Sequence, residues 1–206
     1  MYMNLFDSHV HSDNSHDGEH SITFLCEHAE QKKLMGLCIT DHYELDQNLA
    51  QADLCLRNSF METGKARQAF DYRLVVMNGI EMGQAIQNKE KAQEILRRYR
   101  FDFVLGSLHC IRGMDDFAYI DFSDLDVDVI LTRYFEEILE LCQWGQFDSL
   151  AHLTYPLRYI TGQYHIPVDL SRYDSIIDEI LRTLELVYGN NEIVPSRSIK
   201  NRGKKP

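Results

Sequence analysis

The segment Leu5-Phe6-Asp7-Ser8-His9-Val10-His11-Ser12 places two histidines one residue apart on a run that reads as a β-strand. Side chains alternate faces along a strand, so His9 and His11 point the same way and can reach one point at the strand's end, as a pair gripping a metal ion does. A bare His-x-His is a weak motif on its own. The chain repeats the theme, however: Asp41-His42, Glu81, His109 and His152 each follow a separate short apolar run. Imidazole and carboxylate are the donors that suit Zn, Fe and Mn, and no thiolate is needed. Taken singly, each residue has an ordinary explanation: His152 as a hydrogen-bonded core histidine, Glu81 as a paired rim carboxylate, Asp41 as a helix cap. Five strands that each deliver such a group to one rim are not an accident of composition.

The elements that must position these groups alternate between two periods. Ile22, Leu25, Cys26 and Ala29 fall at helical spacing behind a capping Ser21, predicting a helix from 21 to about 35 that Gly36 ends. Leu37 to Thr40 is a buried-strand run stopping at Asp41-His42, and 47 to 70 is helix-compatible with a weak period interrupted by Gly64. Arg73 to Met77 leads into Asn78-Gly79-Ile80-Glu81; Ala92, Ile95, Leu96 and Tyr99 mark a helix; Phe101 to Leu105 is a fourth strand ending at Gly106-Ser107-Leu108-His109. The acidic, aromatic stretch 113 to 128 reads as a loop. Leu131, Phe135, Ile138 and Cys142 define a helix face, Phe147 to Ala151 a fifth strand, and Tyr173, Ile176, Ile177, Ile180 and Leu184 a last helix. Strand and helix alternate without hairpin signals, so βα units forming a parallel sheet or barrel are expected, with the chemistry on the rim at the strands' carboxyl ends.

Bulk properties narrow the function classes. A chain of 206 residues with 44% apolar and 26% charged content suits one compact domain. There is no run of apolar residues for a membrane span and no signal-peptide pattern, so no membrane partner and a cytoplasmic location are expected. The five cysteines are odd in number and scattered, reading as reduced core thiols. A net charge of -11 disfavours nucleic acid as a partner and is compatible with bound cations. Arg197, Lys200, Arg202, Lys204 and Lys205 make the last segment basic, which reads as a solvated terminus.

Phe6-Asp7-Ser8-His9-Val10-His11-Ser12 with Asp17-Gly18, then Thr40-Asp41-His42, Gly79-Ile80-Glu81, Gly106-Ser107-Leu108-His109 and Ala151-His152-Leu153 resemble, in order, the motifs of the PHP (polymerase and histidinol phosphatase) superfamily. The Arg158-Tyr159 pair after the Ala-His-Leu strand is similar to the histidinol-phosphatase group. The resemblance implies a distorted (β/α)7 TIM-like barrel holding up to three divalent ions, Zn, Mn or Fe. It implies that His9, His11 and Glu81 serve one ion, that Glu81 bridges to a second held by His109 and His152, and that Asp17 and His42 serve a third. It further implies that Arg158 faces a substrate phosphate. Asp41 reads either as a carboxylate behind a ligand imidazole or as a cap for the next helix. The expected activity is hydrolysis of a small phosphorylated substrate, histidinol phosphate giving histidinol.

The resemblance breaks at the carboxyl end. Family members continue to a strand ending in Asp-x-His, whereas this chain has no histidine after His165 and no aspartate after Asp178. A (β/α)8 barrel takes typically about 250 residues. The sequence therefore reads as residues 1–189 forming a barrel domain incomplete at its carboxyl terminus, followed by a basic, non-periodic tail at 190–206. Fewer than three ions are expected, and an exposed barrel edge would favour a homo-oligomer. Two other functions stay open at this point: a phosphoesterase of the same superfamily with another substrate, or a degenerate, non-catalytic domain.

Overall fold

A computed structural model describes residues 5–46 and 48–188. The basic tail at 190–206 lies outside the described residues. The elements run β1 (Phe6–Val10), α1 (Ile22–Gln31), β2 (Gly36–Ile39), β3 (His42–Glu44), α2 (Leu49–Ala69), β4 (Val75–Gly83), α3 (Lys89–Arg98), β5 (Phe103–Ser107), α4 (Val127–Trp144), β6 (Ser149–Leu150), α5 (Leu157–Ile160) and α6 (Asp174–Tyr188), with short 3-10 turns at Ala85–Gln87, Phe117–Tyr119 and Leu170–Tyr173. Every strand pairing is parallel, in the order β1-β2-β4-β5-β6, with β3 also on β4. The expected incomplete barrel is thus a parallel half-barrel among the described residues, with β1 and β6 at its open edges.

Local chemistry explains the elements. Ser21, in an extended conformation, caps α1 by accepting from the Phe24 amide. Asn48 and Asp126 do the same for α2 and α4, and α4 stops at Gly145 in the left-handed region. β2 is buried along its whole length, as its uninterrupted apolar run requires of a central parallel strand. At Gly36 the neighbouring strands approach so closely that a Cβ would lie 2.3 Å from the Val75 carbonyl oxygen. Gly64, which weakens the α2 pattern, has no neighbour near the place a Cβ would occupy, so the helix tolerates it.

β3 was not foreseen. It continues the line of β2: Ile39 pairs with Asn78 and His42 with Glu81, so one register runs through both and the ladder is interrupted only at Thr40-Asp41. Glu81 correspondingly lies inside β4 rather than after it. The fifth expected strand shrinks to Ser149–Leu150, with Asp148 N and Ala151 N still bonded to the carbonyls of Val104 and Gly106 on β5.

The main core packs α2 to α6 against β3, β4 and β5 through residues such as Ile80, Met82, Ile95, Leu131, Phe135 and Ile180. A second cluster seats α1 on β2 through Ile22, Cys26, Leu37 and Ile39. Most of the buried polar groups, among them Ser12, Thr40, Asp41, Glu44, Glu81, Gln84, Ser107 and His109, gather instead at the carboxyl ends of the strands. β1 leaves Asp7, Ser8 and His9 exposed, a polar edge that blunts strand-to-strand association. The five cysteines are free thiols, and among the described residues no helix is long and apolar enough to cross a membrane.

Candidate metal centre

Parallel pairing aligns the carboxyl ends of β1, β3, β4, β5 and β6, and the sequence-predicted residues meet there. Glu81 is the hub. Its side chain is 1% exposed, and five imidazoles surround its carboxylate. Oε2 lies 3.1 Å from His9 Nε2 and 3.2 Å from His11 Nε2, and these two nitrogens are 2.9 Å apart. Oε1 lies 3.2 Å from His109 Nε2 and 3.1 Å from His152 Nε2, which are 3.3 Å apart. Each oxygen of one carboxylate thus closes a triangle with its own pair of imidazoles.

A third group adjoins them. Asp17, on the loop after β1, approaches His11 Nδ1 at 3.3 Å and His42 Nε2 at 3.5 Å. The first contact is not a hydrogen bond, and the buried His11 Nδ1 has no hydrogen-bond partner. His16 joins from the same loop, its ring 4.9 Å from that of His42. It lies on the wall of the cavity above the centre. His20 and His28 pack on Phe24 away from the centre.

These spacings fit divalent cations. Ligand nitrogen and oxygen atoms about 2.0–2.2 Å from Zn²⁺ in tetrahedral array are about 3.3–3.6 Å from one another, and the clusters here are slightly tighter. The two Glu81 triangles have edges of 2.9–3.3 Å. Converging imidazole nitrogens and an orphaned buried His11 nitrogen are features of a donor set suited to a cation. His9, His11 and Glu81, then Glu81, His109 and His152, then Asp17 and His42 could each hold an ion.

Electrostatics follow from the same crowding. Burial alone would raise the Glu81 carboxyl, but hydrogen bonds from His109, His11, His152 and His9 outweigh it and hold it far below the usual carboxylate range. Burial would likewise lower His42; bonds to Asp17 and Glu44 and the charge of Glu81 instead raise it to about 10. The His42 bond depresses Asp17 in return.

One sequence expectation changes. Asp41 does not sit behind an imidazole. Its buried carboxylate accepts from Ser12 N and Oγ, Ser15 Oγ and Ser59 Oγ at 2.5–2.8 Å, tying the Asp17-bearing loop to α2. A carboxylate 2% exposed needs several donors, and three hydroxyls supply them. The residue that does sit behind the imidazoles, Glu44, went unnoticed in the sequence. Its Oε1 accepts from His42 Nδ1 at 2.8 Å and His109 Nδ1 at 3.0 Å. The alternation His42-x-Glu44, the same as His9-x-His11, is the signal that could have found it.

A cavity of about 940 Å³ opens over the centre. Its wall also carries Asp116, Tyr119, Thr154, Tyr155, Arg158 and Tyr159. The Tyr155 hydroxyl bonds Asp116 Oδ1 at 3.1 Å and the Tyr159 hydroxyl at 3.0 Å, while its ring stands 4.9 Å from that of His109. Arg158, exposed on α5, is thus a cation on the wall of the cavity that holds the His-Glu cluster.

Comparison with known proteins agrees with this architecture. The family model described as PHP domain matches residues 7–191. The chain is 30% identical over 181 residues to a probable histidinol-phosphatase of Clostridium acetobutylicum, covering 86% of this chain and 68% of that protein. It is 27% identical over 185 residues to the histidinol-phosphatase of Lactococcus lactis, covering 88% and 68%. Its fold superposes on the crystal structure of the Lactococcus lactis histidinol phosphate phosphatase, complexed with zinc, L-histidinol and phosphate, with a TM-score of 0.73 at 22% identity, over 90% of this chain and 71% of that one. With its motifs in order, its half-barrel in place and a family match spanning most of its length, the chain belongs to the PHP domain family.

Proposed function

We propose that the protein is a metal-dependent phosphomonoesterase whose substrate is histidinol phosphate, hydrolysed to histidinol and phosphate. One observation carries the reading: each oxygen of Glu81 faces its own pair of imidazoles, a donor set that would hold two cations. Divalent ions bound by these residues would supply Lewis acidity to the phosphoryl group and lower the pKa of water at neutral pH.

The chain's own residues do the rest. His9, His11, His109, His152 and the shared Glu81 fix the separation of the two sites, and Asp17 with His42 offers a third. Arg158, on the cavity wall, donates to phosphoryl oxygens and neutralises charge that builds on them. Asp41 keeps the Asp17 loop in register through its serines. Tyr155, Tyr159 and Asp116 form the polar wall against which the alcohol half of the substrate lies. The relatives named histidinol-phosphatase and the neighbour that binds zinc, L-histidinol and phosphate support this choice of substrate over other phosphomonoesters. A substrate of that size fits a cavity of about 940 Å³. Free thiols accord with the cytoplasm as the place of action.

The test is phosphate release from L-histidinol phosphate by protein supplied with zinc, manganese or iron, set beside His109→Ala. Cation-dependent turnover lost in the variant is expected. Wild-type turnover no faster than that of His109→Ala would refute the reading.

A further inference from the structure

Glu44 stands on β3 two residues after His42, so both side chains share the face of the half-barrel that carries Glu81. It is paired in register with Gly83 of β4, and Gly83 with Ser107 of β5. The middle member of this row has no side chain. A Cβ at Gly83 would lie 1.9 Å from Glu44 Oε2 and 2.7 Å from Oε1, so the carboxylate occupies the space an ordinary residue would fill. From there it reaches across β4 to His109, which follows β5. One oxygen, Oε1, accepts from Nδ1 of His42 and Nδ1 of His109, on either side of Glu81. Glu44 is 5% exposed, and its second oxygen has no hydrogen-bond partner. A carboxylate so enclosed, with half its capacity unused, is costly unless the two imidazole bonds it does make matter.

We propose that Glu44 is a positioning residue that fixes the rings of His42 and His109 together, with Gly83 as the gap that lets it cross the sheet. By holding a proton on both Nδ1 atoms, it leaves both Nε2 lone pairs to the cations, His109 beside Glu81 and His42 beside Asp17. Two of the sites are thereby built on one side chain. This inference rests on the metal-centre reading above.

The experiment uses zinc-loaded protein and three variants, Glu44→Ala, Glu44→Gln and Gly83→Ala. NMR of ¹⁵N-histidine-labelled protein reads which ring nitrogens bear exchange-protected protons, and competition with a chelator reads zinc affinity. In the wild type, His42 and His109 are expected to show protected Nδ1 protons. Both should lose protection together in Glu44→Ala and in Gly83→Ala, where the carboxylate is intact but displaced. The affinity loss should be about 10–100-fold. Glu44→Gln, which keeps an acceptor oxygen and the side-chain length, should restore the protected protons lost in Glu44→Ala. The rings of His9 and His152, which do not touch Glu44, report that the fold persists. Variants that bind zinc as tightly as the wild type with both protons still protected overturn the proposal and leave the metal-centre reading standing. Loss at one histidine only overturns the coupling. Absence of zinc from the wild type overturns both.

Discussion

Replacing Glu81 with Gln keeps the shape of the hub and removes its charge. Two pairs of imidazole nitrogens lie within 3.2 Å of its oxygens, one pair on each, so the change strikes two triangles at once. A neutral amide leaves neither triangle a charged oxygen, since its carbonyl is a weak ligand on one side and its NH2 points at two imidazole nitrogens on the other, so both sites are expected to fail. His9→Ala, by contrast, breaks one triangle and leaves the His109-His152 side intact. Stabilisation of the transition state by cation pairs amounts to several kcal/mol, or roughly three decades of rate at about 1.4 kcal/mol per decade. Glu81→Gln is therefore expected to lose at least about 10³-fold in kcat/KM for histidinol phosphate and to bind two fewer equivalents of zinc. His9→Ala is expected to lose one. Adding His152→Ala to Glu81→Gln should cost little more, because the site it would break is already gone. The assays are phosphate release and elemental analysis of the dialysed proteins. A Glu81→Gln variant retaining the wild-type zinc content, or losing only one equivalent, would refute the bridging role.

Arg158→Ala should raise KM for histidinol phosphate by about 10–100-fold, the worth of a charge-assisted bond to phosphate, with zinc content unchanged, as steady-state kinetics and metal analysis would show. Asp41→Ala strands hydroxyls of Ser12, Ser15 and Ser59 and should destabilise the protein by about 3 kcal/mol, seen as a lower Tm, while activity in the surviving folded fraction falls less than for any ligand substitution. In chelated protein His42 is raised to about 10 by Asp17 and Glu44. Its stabilising contribution is complete below the unfolded value near 6.5 and is lost as pH climbs through 10, so Tm should fall between pH 7 and 10, and His42→Gln should flatten that slope. Because the same proton must leave for a cation to bind, zinc titration at neutral pH should release protons, measurable by calorimetry in buffers of different ionisation enthalpy.

Much of this was legible in the sequence, for identifiable reasons. The buried run Leu37 to Ile39 and the spacing of Ile22, Cys26 and Ala29 give β2 and α1 because burial on one face imposes a period. His9, His11, His42, Glu81, His109 and His152 converge because parallel strands carry their ends to one rim, so placement at strand ends was enough to group them. What stayed hidden depended on register. β3 is three residues long and holds His42 and Glu44, so no apolar pattern announces it. Without β3, Glu44 cannot be seen to share a row with Gly83, and its reach to His109 is a fact of pairing rather than of spacing. Asp41 was visible as important but not in what it does, since Ser59 comes to it from α2, eighteen residues along the chain.

The central claim, two cations joined by Glu81, is tested most directly by a crystal structure of the zinc-loaded protein with anomalous differences measured at the zinc edge. Two peaks that share Glu81 are predicted, one among His9, His11 and Oε2 and the other among His109, His152 and Oε1, apart from any at the Asp17-His42 site. A single peak, or peaks without Glu81 as a shared ligand, would contradict it.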